Sequence, residues 1–248
     1  MNILLLGATG SIGESVLSVI EQNHSELNLF GITFHKKINK SQEIIKDFKP
    51  EFAYIEDRST FEDLKDTSDI TFLNGDSSLK ELIEHDDVDV IISAISGFAG
   101  LKATYLAAST GKKILLANKE SIVAGGDLIT ARAKKFNSKI IPIDSEHNAI
   151  FQCLSGQRSN DDVQNITITA SGGPFIGKKI SDLKDVTKDD ALNHPNWDMG
   201  SKISIDSATL VNKCLELIEA KYLFDLEESI FDLVIHPQSI VHSVVTYK

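Results

Sequence analysis

The sequence predicts an α/β fold: a doubly wound parallel sheet followed by a second, α+β domain. Three observations carry this reading. Apolar strands alternate with helical patterns from the N-terminus to about residue 155. A glycine turn, GATGSIG, follows the first strand directly. Beyond 155 the rhythm changes to a strand, a long polar segment and one amphipathic helix. Repeated strand–helix units imply parallel strands with helices on both faces.

Taken in order, Asn2–Leu6 reads as the first strand and Ser11–Gln22 as a helix. Leu27–Phe34 and Phe52–Ile55 are the next strands, with the amphipathic segment Ser41–Phe48 between them. Val88–Ala94, Lys113–Ala117 and Lys139–Ile143 complete the series, separated by helices near 97–110 and over Lys119–Phe136. Gln164–Ala170 is a strand ending in SGGPF. A single helix is expected over Ser207–Phe224, then strands over Phe231–Ile235 and Ser239–Tyr247. The chain stops inside a strand pattern, SIVHSVVTYK, with nothing resembling a terminal cap, so a truncated form is expected.

Composition excludes several classes. A hydrophobic share of 42% with 25% charged residues is that of an ordinary soluble globular protein. No apolar run approaches the roughly 18 residues of a membrane span. MNILLLGATG lacks a basic leader and runs straight into a turn, so it reads as a strand and not as a signal peptide. The 2 cysteines, Cys153 and Cys214, sit in apolar helical contexts and suggest no disulfide framework, so a reducing cytoplasm is expected. A net charge of −11 argues against nucleic acid or anionic lipid as partner. A small phosphorylated ligand is still allowed, because local lysines, serines and backbone N–H groups can hold it.

Glycines 7, 10 and 13 let the chain turn sharply and approach a pyrophosphate, which the following helix N-terminus would also attract. That is the logic of a Rossmann-like dinucleotide site. Sites that prefer NAD place Asp or Glu after the second strand for the ribose 2′-hydroxyl. Here the run is FHKKINK, so His35, Lys36 and Lys37 stand where a carboxylate would. Two lysines attract a 2′-phosphate, which favours NADP. LANKES, residues 116–121, puts Asn118, Lys119 and Glu120 at another strand end, the edge facing the ligand crevice in open sheets.

IIPIDSEHNAIFQCL delivers Asp144, Ser145 and Glu146 from a strand into a helix start. Two acids there are either ordinary helix-start charges or ligands. The later helix adds a third acid, Glu216. Its apolar residues Val211, Cys214, Leu215, Ile218 and Tyr222 are spaced as one buried stripe. Thr209, Asn212, Lys213 and Glu216 then fall on the opposite arc, either a solvated face or a ligand face. If Asp144, Glu146 and Glu216 converge, a divalent cation would relieve their repulsion, and all-oxygen ligands select Mg²⁺ or Mn²⁺ over zinc. SGGPF offers Ser171 and N–H groups to an anion or makes a tight turn. NHPNWDMG carries His194 and the 1 tryptophan, Trp197, in a glycine-bounded polar segment that reads as a lid. His24, His85 and His236 read as structural.

In this order, GATGSIG, LANKES, DSEHNAIFQ, TASGGPF, HPNWDMGSKISIDSATLVNKCLE and HPQSIVHS closely resemble the 1-deoxy-D-xylulose 5-phosphate reductoisomerase family. The resemblance spans essentially the whole chain. It implies an NADPH-binding domain over 1–138 and a catalytic domain over 139–248, with the family's C-terminal helical domain absent. It implies an NADPH- and divalent-metal-dependent oxidoreductase, a cytoplasmic homodimer and fosmidomycin target of isoprenoid synthesis, using Mg²⁺, Mn²⁺ or Co²⁺. Such an enzyme converts 1-deoxy-D-xylulose 5-phosphate into 2-C-methyl-D-erythritol 4-phosphate. Carried over, the metal ligands match Asp144, Glu146 and Glu216. Substrate contacts match Ser145, Ser171, His194, Trp197, Ser207, Asn212, Lys213 and Glu216. Cofactor contacts match Thr9, Gly10, Ser11, Ile12, Asn118, Lys119, Glu120 and Gly200, with Lys36 and Lys37 toward the 2′-phosphate, although the family often has G-[KR]-N where this chain has HKK. The catalytic residues implied are Lys119, Glu146 and His194, with Lys119 or Glu120 as candidates for moving a proton. The competing readings are a plain NADP-dependent dehydrogenase, which needs a reactive cysteine, and an inactive NADP-binding module.

Overall fold

The apolar run NILLL is β1 (Asn2–Leu6), the strand about which the first sheet is wound. The computed structural model describes residues 1–67, 69–156, 159–195, 197 and 199–248. They form two compact units, Met1–Ile141 and Pro142–Lys248. In the first unit, α1 (Ser11–Gln22), β2 (Asn28–Phe34), α2 (Ile38–Phe48), β3 (Phe52–Ile55), α3 (Arg58–Leu64), β4 (Thr71–Leu73), α4 (Asp76–Glu84) and β5 (Val90–Ser93) follow β1. Then come α5 (Leu101–Ala107), β6 (Lys113–Leu116), α6 (Lys119–Phe136) and β7 (Lys139–Pro142).

The strand order is β4-β3-β2-β1-β5-β6-β7, and the pairings from β4 through β6 are parallel. Leu4, Leu5, Leu6, Ile91 and Ile114 are all fully buried. Both faces of the sheet are covered, which is why its strands are unbroken apolar runs and not alternating ones. The order reverses at β1, so the crevice beyond the carboxyl ends of β1 and β5 is the switch point where such sheets bind ligands. Three elements went unpredicted: α3, β4 and α4. β4 has only three residues, and the surrounding segment is densely charged. The sequence boundary at 138/139 groups β7 with the second domain, whereas β7 is the edge of the first sheet.

The second unit contains α7 (Ser145–Leu154), β8 (Val163–Ala170), α8 (Lys188–Leu192), α9 (Ser201–Ala208), α10 (Val211–Phe224), β9 (Phe231–Ile235) and β10 (Ser243–Tyr247). β8 is central, antiparallel to β10 and parallel to β9. Its inward residues Ile166 and Ile168 meet Ile150 of α7 and Ala220 and Phe224 of α10 in one core.

Two sequence expectations are corrected here. The helix expected over Ser207–Phe224 is two helices, α9 and α10, broken at Leu210, whose φ of 60° is left-handed. The apolar stripe expected to be buried faces outward: Val211, Cys214 and Ile218 are exposed. The face turned inward carries Lys213, Glu216, Glu219 and Ala220. Periodicity located the two faces, but burial went to the charged one because its charges find partners. Among the described residues no helix is long and apolar enough to cross a membrane.

Candidate active site

The site is assembled from α7, the end of β8, the segment before α9, and α10. α7 begins where β7 ends, and Asp144 caps it by accepting the N–H of Glu146 at 3.2 Å. That cap holds Asp144 and Glu146 at one helix end. Asn148 donates to the Pro142 carbonyl (2.8 Å), and Ser243 of β10 donates to the Glu146 carbonyl (3.0 Å), so the helix start is tied down from both sides.

Glu216 enters from α10 and completes the set. One carboxylate oxygen from each of Asp144, Glu146 and Glu216 lies within 4.8 Å of the others. Glu216 is 1% exposed, while Asp144 and Glu146 keep some access to solvent. Lys213 donates to Glu146 Oε1 at 2.8 Å and to Glu216 Oε2 at 2.5 Å. Asn212 donates to Glu216 Oε1 (2.5 Å), and Ser145 to Glu146 Oε2 (2.6 Å). Three carboxylates converge with one ammonium between two of them, so the cluster is rich in negative charge, which a divalent cation would offset. An all-oxygen set suits Mg²⁺ or Mn²⁺.

The break at Leu210 has a consequence for the site. It lets Ser207, at the end of α9, and Asn212, Lys213 and Glu216, on α10, line one cavity of about 370 Å³. Gly173, at φ 67°, passes so close to the Ser207 carbonyl that a Cβ would sit 2.9 Å from it. Ser171 and Gly172 line the same cavity. Ser171 Oγ lies 2.9 Å from His194 Nε2, and Trp197 donates its backbone N–H to His194 Nδ1 at 3.2 Å. Since Nδ1 accepts, Nε2 carries the hydrogen and points it at Ser171. Burial lowers the His194 pKa, which keeps this neutral tautomer. Trp197 lines the mouth, about half exposed. Its neighbours Asn196 and Asp198 in the HPNWDMG stretch lie outside the described residues.

With this geometry in view, comparison with known proteins is decisive. The family model for 1-deoxy-D-xylulose 5-phosphate reductoisomerase matches residues 3–126, and that for the C-terminal domain of the same reductoisomerase matches residues 140–224. The chain belongs to the 1-deoxy-D-xylulose 5-phosphate reductoisomerase family. It is 47% identical over 248 residues to the reductoisomerase of Francisella tularensis subsp. novicida, covering 99% of this chain and 64% of that one. A crystal structure of DOX-P reductoisomerase in complex with NADPH, fosmidomycin and magnesium superposes with a TM-score of 0.95 at 43% identity. The match covers 100% of this chain and 64% of that chain. The Zymomonas mobilis enzyme in complex with NADPH gives a TM-score of 0.89 at 40% identity, over 99% of this chain and 64% of that one. The chain therefore spans under two thirds of the length of these relatives.

Of the residues that the family resemblance assigns to the second half, all but Gly200 line the cavity. Gly200 lies in the second unit as the cap of α9, where its carbonyl accepts from the Ser204 N–H at 3.1 Å. The other cofactor candidates lie in the first unit. Gly7, at φ 90°, has no room for a Cβ, which would stand 2.7 Å from the Ala94 carbonyl of the strand-end beyond β5. Gly7 donates to Thr33 Oγ1 (2.9 Å), pinning the turn to β2. Thr9 is buried, and Ser11 and Ile12 open α1 on the exposed side. Lys37 Nζ donates to the Thr9 carbonyl at 3.1 Å, so this lysine lies over the glycine turn. Lys36 points elsewhere, to Asp57 at 3.2 Å. Asn118 is 2% exposed and donates to the Gly97 carbonyl (2.9 Å) and to Glu120 (3.0 Å), while Lys119 is buried.

Sequence reasoning missed His147, Glu219, Ser239 and His242. Ser239 and His242, from the loop between β9 and β10, line the cavity. His147 is wholly buried beside Asp144. Burial disfavours its charge, but Glu219, Asp144 and Glu216 outweigh this and hold the ring at a pKa of about 9. The available signal was spacing: His147 follows Asp144 by three residues, and Glu219 follows Glu216 by three, so each shares a helix face with a ligand candidate. His236, read from the sequence as structural, accepts at Nε2 from the N–H groups of Ile240 and Val241. Both cysteines are exposed, contrary to their apolar context, but neither lines the cavity.

Proposed function

We propose that this chain carries the NADPH- and divalent-metal-dependent conversion of 1-deoxy-D-xylulose 5-phosphate to 2-C-methyl-D-erythritol 4-phosphate. The first unit binds NADPH, and the second binds the metal and the sugar phosphate. The observation that carries this reading is the convergence of Asp144, Glu146 and Glu216 in one cavity. Relatives that share the family are reductoisomerases, and one was crystallised with NADPH, fosmidomycin and magnesium together.

Asp144, Glu146 and Glu216 would hold a divalent cation, which would supply Lewis-acid stabilisation of developing oxyanion character, and a bound reduced nicotinamide would supply hydride. The chain's own residues do the rest. Asn212 and Lys213 orient Glu216 and temper its charge. Ser171, set by His194, turns its hydroxyl to the substrate phosphate, with Ser207 beside it. Trp197 acts as the lid, so that phosphate binding energy closes the site and excludes water. In the first unit the glycine turn takes the pyrophosphate, and Lys37, with Lys36, takes the 2′-phosphate. Lys119 or Glu120 moves a proton at the carbonyl being reduced.

The same reading includes a homodimer in a reducing cytoplasm. In its support, β9 is a sheet edge among the described residues and exposes Leu233, Val234 and Ile235. The test of the function is direct. Protein, NADPH and Mn²⁺ are mixed with 1-deoxy-D-xylulose 5-phosphate while nicotinamide absorbance is followed. Oxidation that needs both the metal and this sugar phosphate is expected. NADPH binding without turnover would instead favour an inactive NADP-binding module.

A further inference from the structure

We infer that His147 and Glu219 are positioning residues of the metal centre, an inference that rests on the metal-site reading above. The acids of that site come from two helices, with Asp144 at the start of α7 and Glu216 within α10. Folding alone brings them together, and a cation site needs its ligands fixed to within about 0.5 Å. Lys213 joins Glu146 to Glu216, and the imidazole of His147 joins Asp144 to the Glu216 main chain. His147 Nδ1 lies 3.3 Å from Asp144 Oδ1, and His147 Nε2 lies 2.9 Å from the backbone carbonyl oxygen of Glu216, 69 positions along the chain. A carbonyl only accepts, so Nε2 carries the hydrogen and the ring donates to the main chain of the ligand-bearing helix.

The ring is held on its other sides as well. It is 0% exposed and stacks on Phe224 of α10, with planes 14° apart and centroids 6.3 Å apart. Glu219 Oε2 stands 3.5 Å from Nδ1, and Glu219 is 1% exposed. Glu219 is not one of the three carboxylates that converge among the described residues, and its ion-pair contact with the imidazole links it to them. The arrangement is a chain of contacts: the Glu219 carboxylate faces the ring at ion-pair distance, and the ring meets both the Asp144 carboxylate and the Glu216 backbone. Moving the ring changes the spacing between two ligands at once. Groups that orient metal ligands in this way typically account for 10–100-fold in metal affinity. A pair that served only the core would leave that affinity alone.

The experiment uses Glu219→Gln and His147→Gln in the purified protein, with Ile150→Val as a core control. Ile150 is an apolar residue of the core that also holds Ala220 and Phe224. Three quantities are measured: Mn²⁺ affinity from the paramagnetic resonance of free and bound ion, metal-free melting temperature, and NADPH affinity by fluorescence. The expected result is a loss of Mn²⁺ affinity of about tenfold or more in both site variants. NADPH affinity stays unchanged, and Ile150→Val lowers melting without moving Mn²⁺ affinity. Should His147→Gln fail to fold, Glu219→Gln decides alone. Wild-type Mn²⁺ affinity in Glu219→Gln, or an equal loss in Ile150→Val, overturns the inference. Absence of Mn²⁺ binding by the wild-type protein overturns the metal-site reading itself, and the inference with it.

Discussion

Lys213 and Glu216, one turn apart on α10, form a buried ion pair with Nζ 2.5 Å from Oε2. The same ammonium reaches Glu146, so it is the positive charge placed between two of the three converging acids. Removing one partner of a buried pair costs about 3–5 kcal/mol, because the other charge stays behind uncompensated. Lys213→Met should therefore destabilise the metal-free protein by roughly that amount. Mn²⁺ should restore more of the lost melting temperature than it adds to the wild type, since it replaces the missing charge. Thermal melts with and without Mn²⁺ check this, and a variant indifferent to the ion would contradict it.

Glu216→Gln keeps the shape of the side chain and removes its charge. The amide keeps a single acceptor oxygen, so it can take only one of the two hydrogen bonds that Asn212 and Lys213 donate to the carboxylate, and the site loses one of three anionic ligands. Metal-dependent turnover should disappear while NADPH affinity stays near wild type, because the cofactor residues proposed for the pyrophosphate and 2′-phosphate all lie in the first unit. Steady-state kinetics and NADPH titration by fluorescence give the two readings, and full activity would refute the ligand assignment.

Lys37 and Lys36 make different contacts, and their variants should differ accordingly. Lys37 lies over the glycine turn, whereas Lys36 is engaged with Asp57. A charge-assisted hydrogen bond is worth about 1.5–3 kcal/mol, so Lys37→Ala should raise the KM for NADPH on the order of tenfold or more. The KM for NADH should barely move, and Lys36→Ala should have the smaller effect. An equal rise for both cofactors in Lys37→Ala would point to a collapsed turn and not to a phosphate contact.

Gly7→Ala tests the turn itself. Its φ of 90° disfavours any side chain, and a Cβ would press on the Ala94 carbonyl at 2.7 Å. The cost should be about 1–3 kcal/mol, with loss of NADPH binding. A denaturant midpoint equal to that of the wild type would show that the turn can relax.

Much of this was legible in the sequence because the chemistry and the pattern agreed. β1, α1, β3, α6 and β9 fall where the apolar runs and glycines put them. The charged stretch that holds α3, β4 and α4 gave no periodic signal strong enough to read. The face of α10 that points inward was misjudged, because a helix with Lys213, Glu216 and Glu219 on one side reads as solvated unless their partners are known. Those partners, Glu146 and His147, come from α7, and spacing along the sequence says nothing about contacts between distant helices. The left-handed Leu210 was equally silent, since leucine carries no turn signal. α9 and α10 pack against each other on either side of it.

The central claim is that Asp144, Glu146 and Glu216 hold one divalent ion. Anomalous scattering from crystals soaked in Mn²⁺ tests it most directly. The account predicts a single strong peak bounded by the carboxylate oxygens of all three residues. A peak elsewhere, or well-ordered acids with no ion among them, would contradict it.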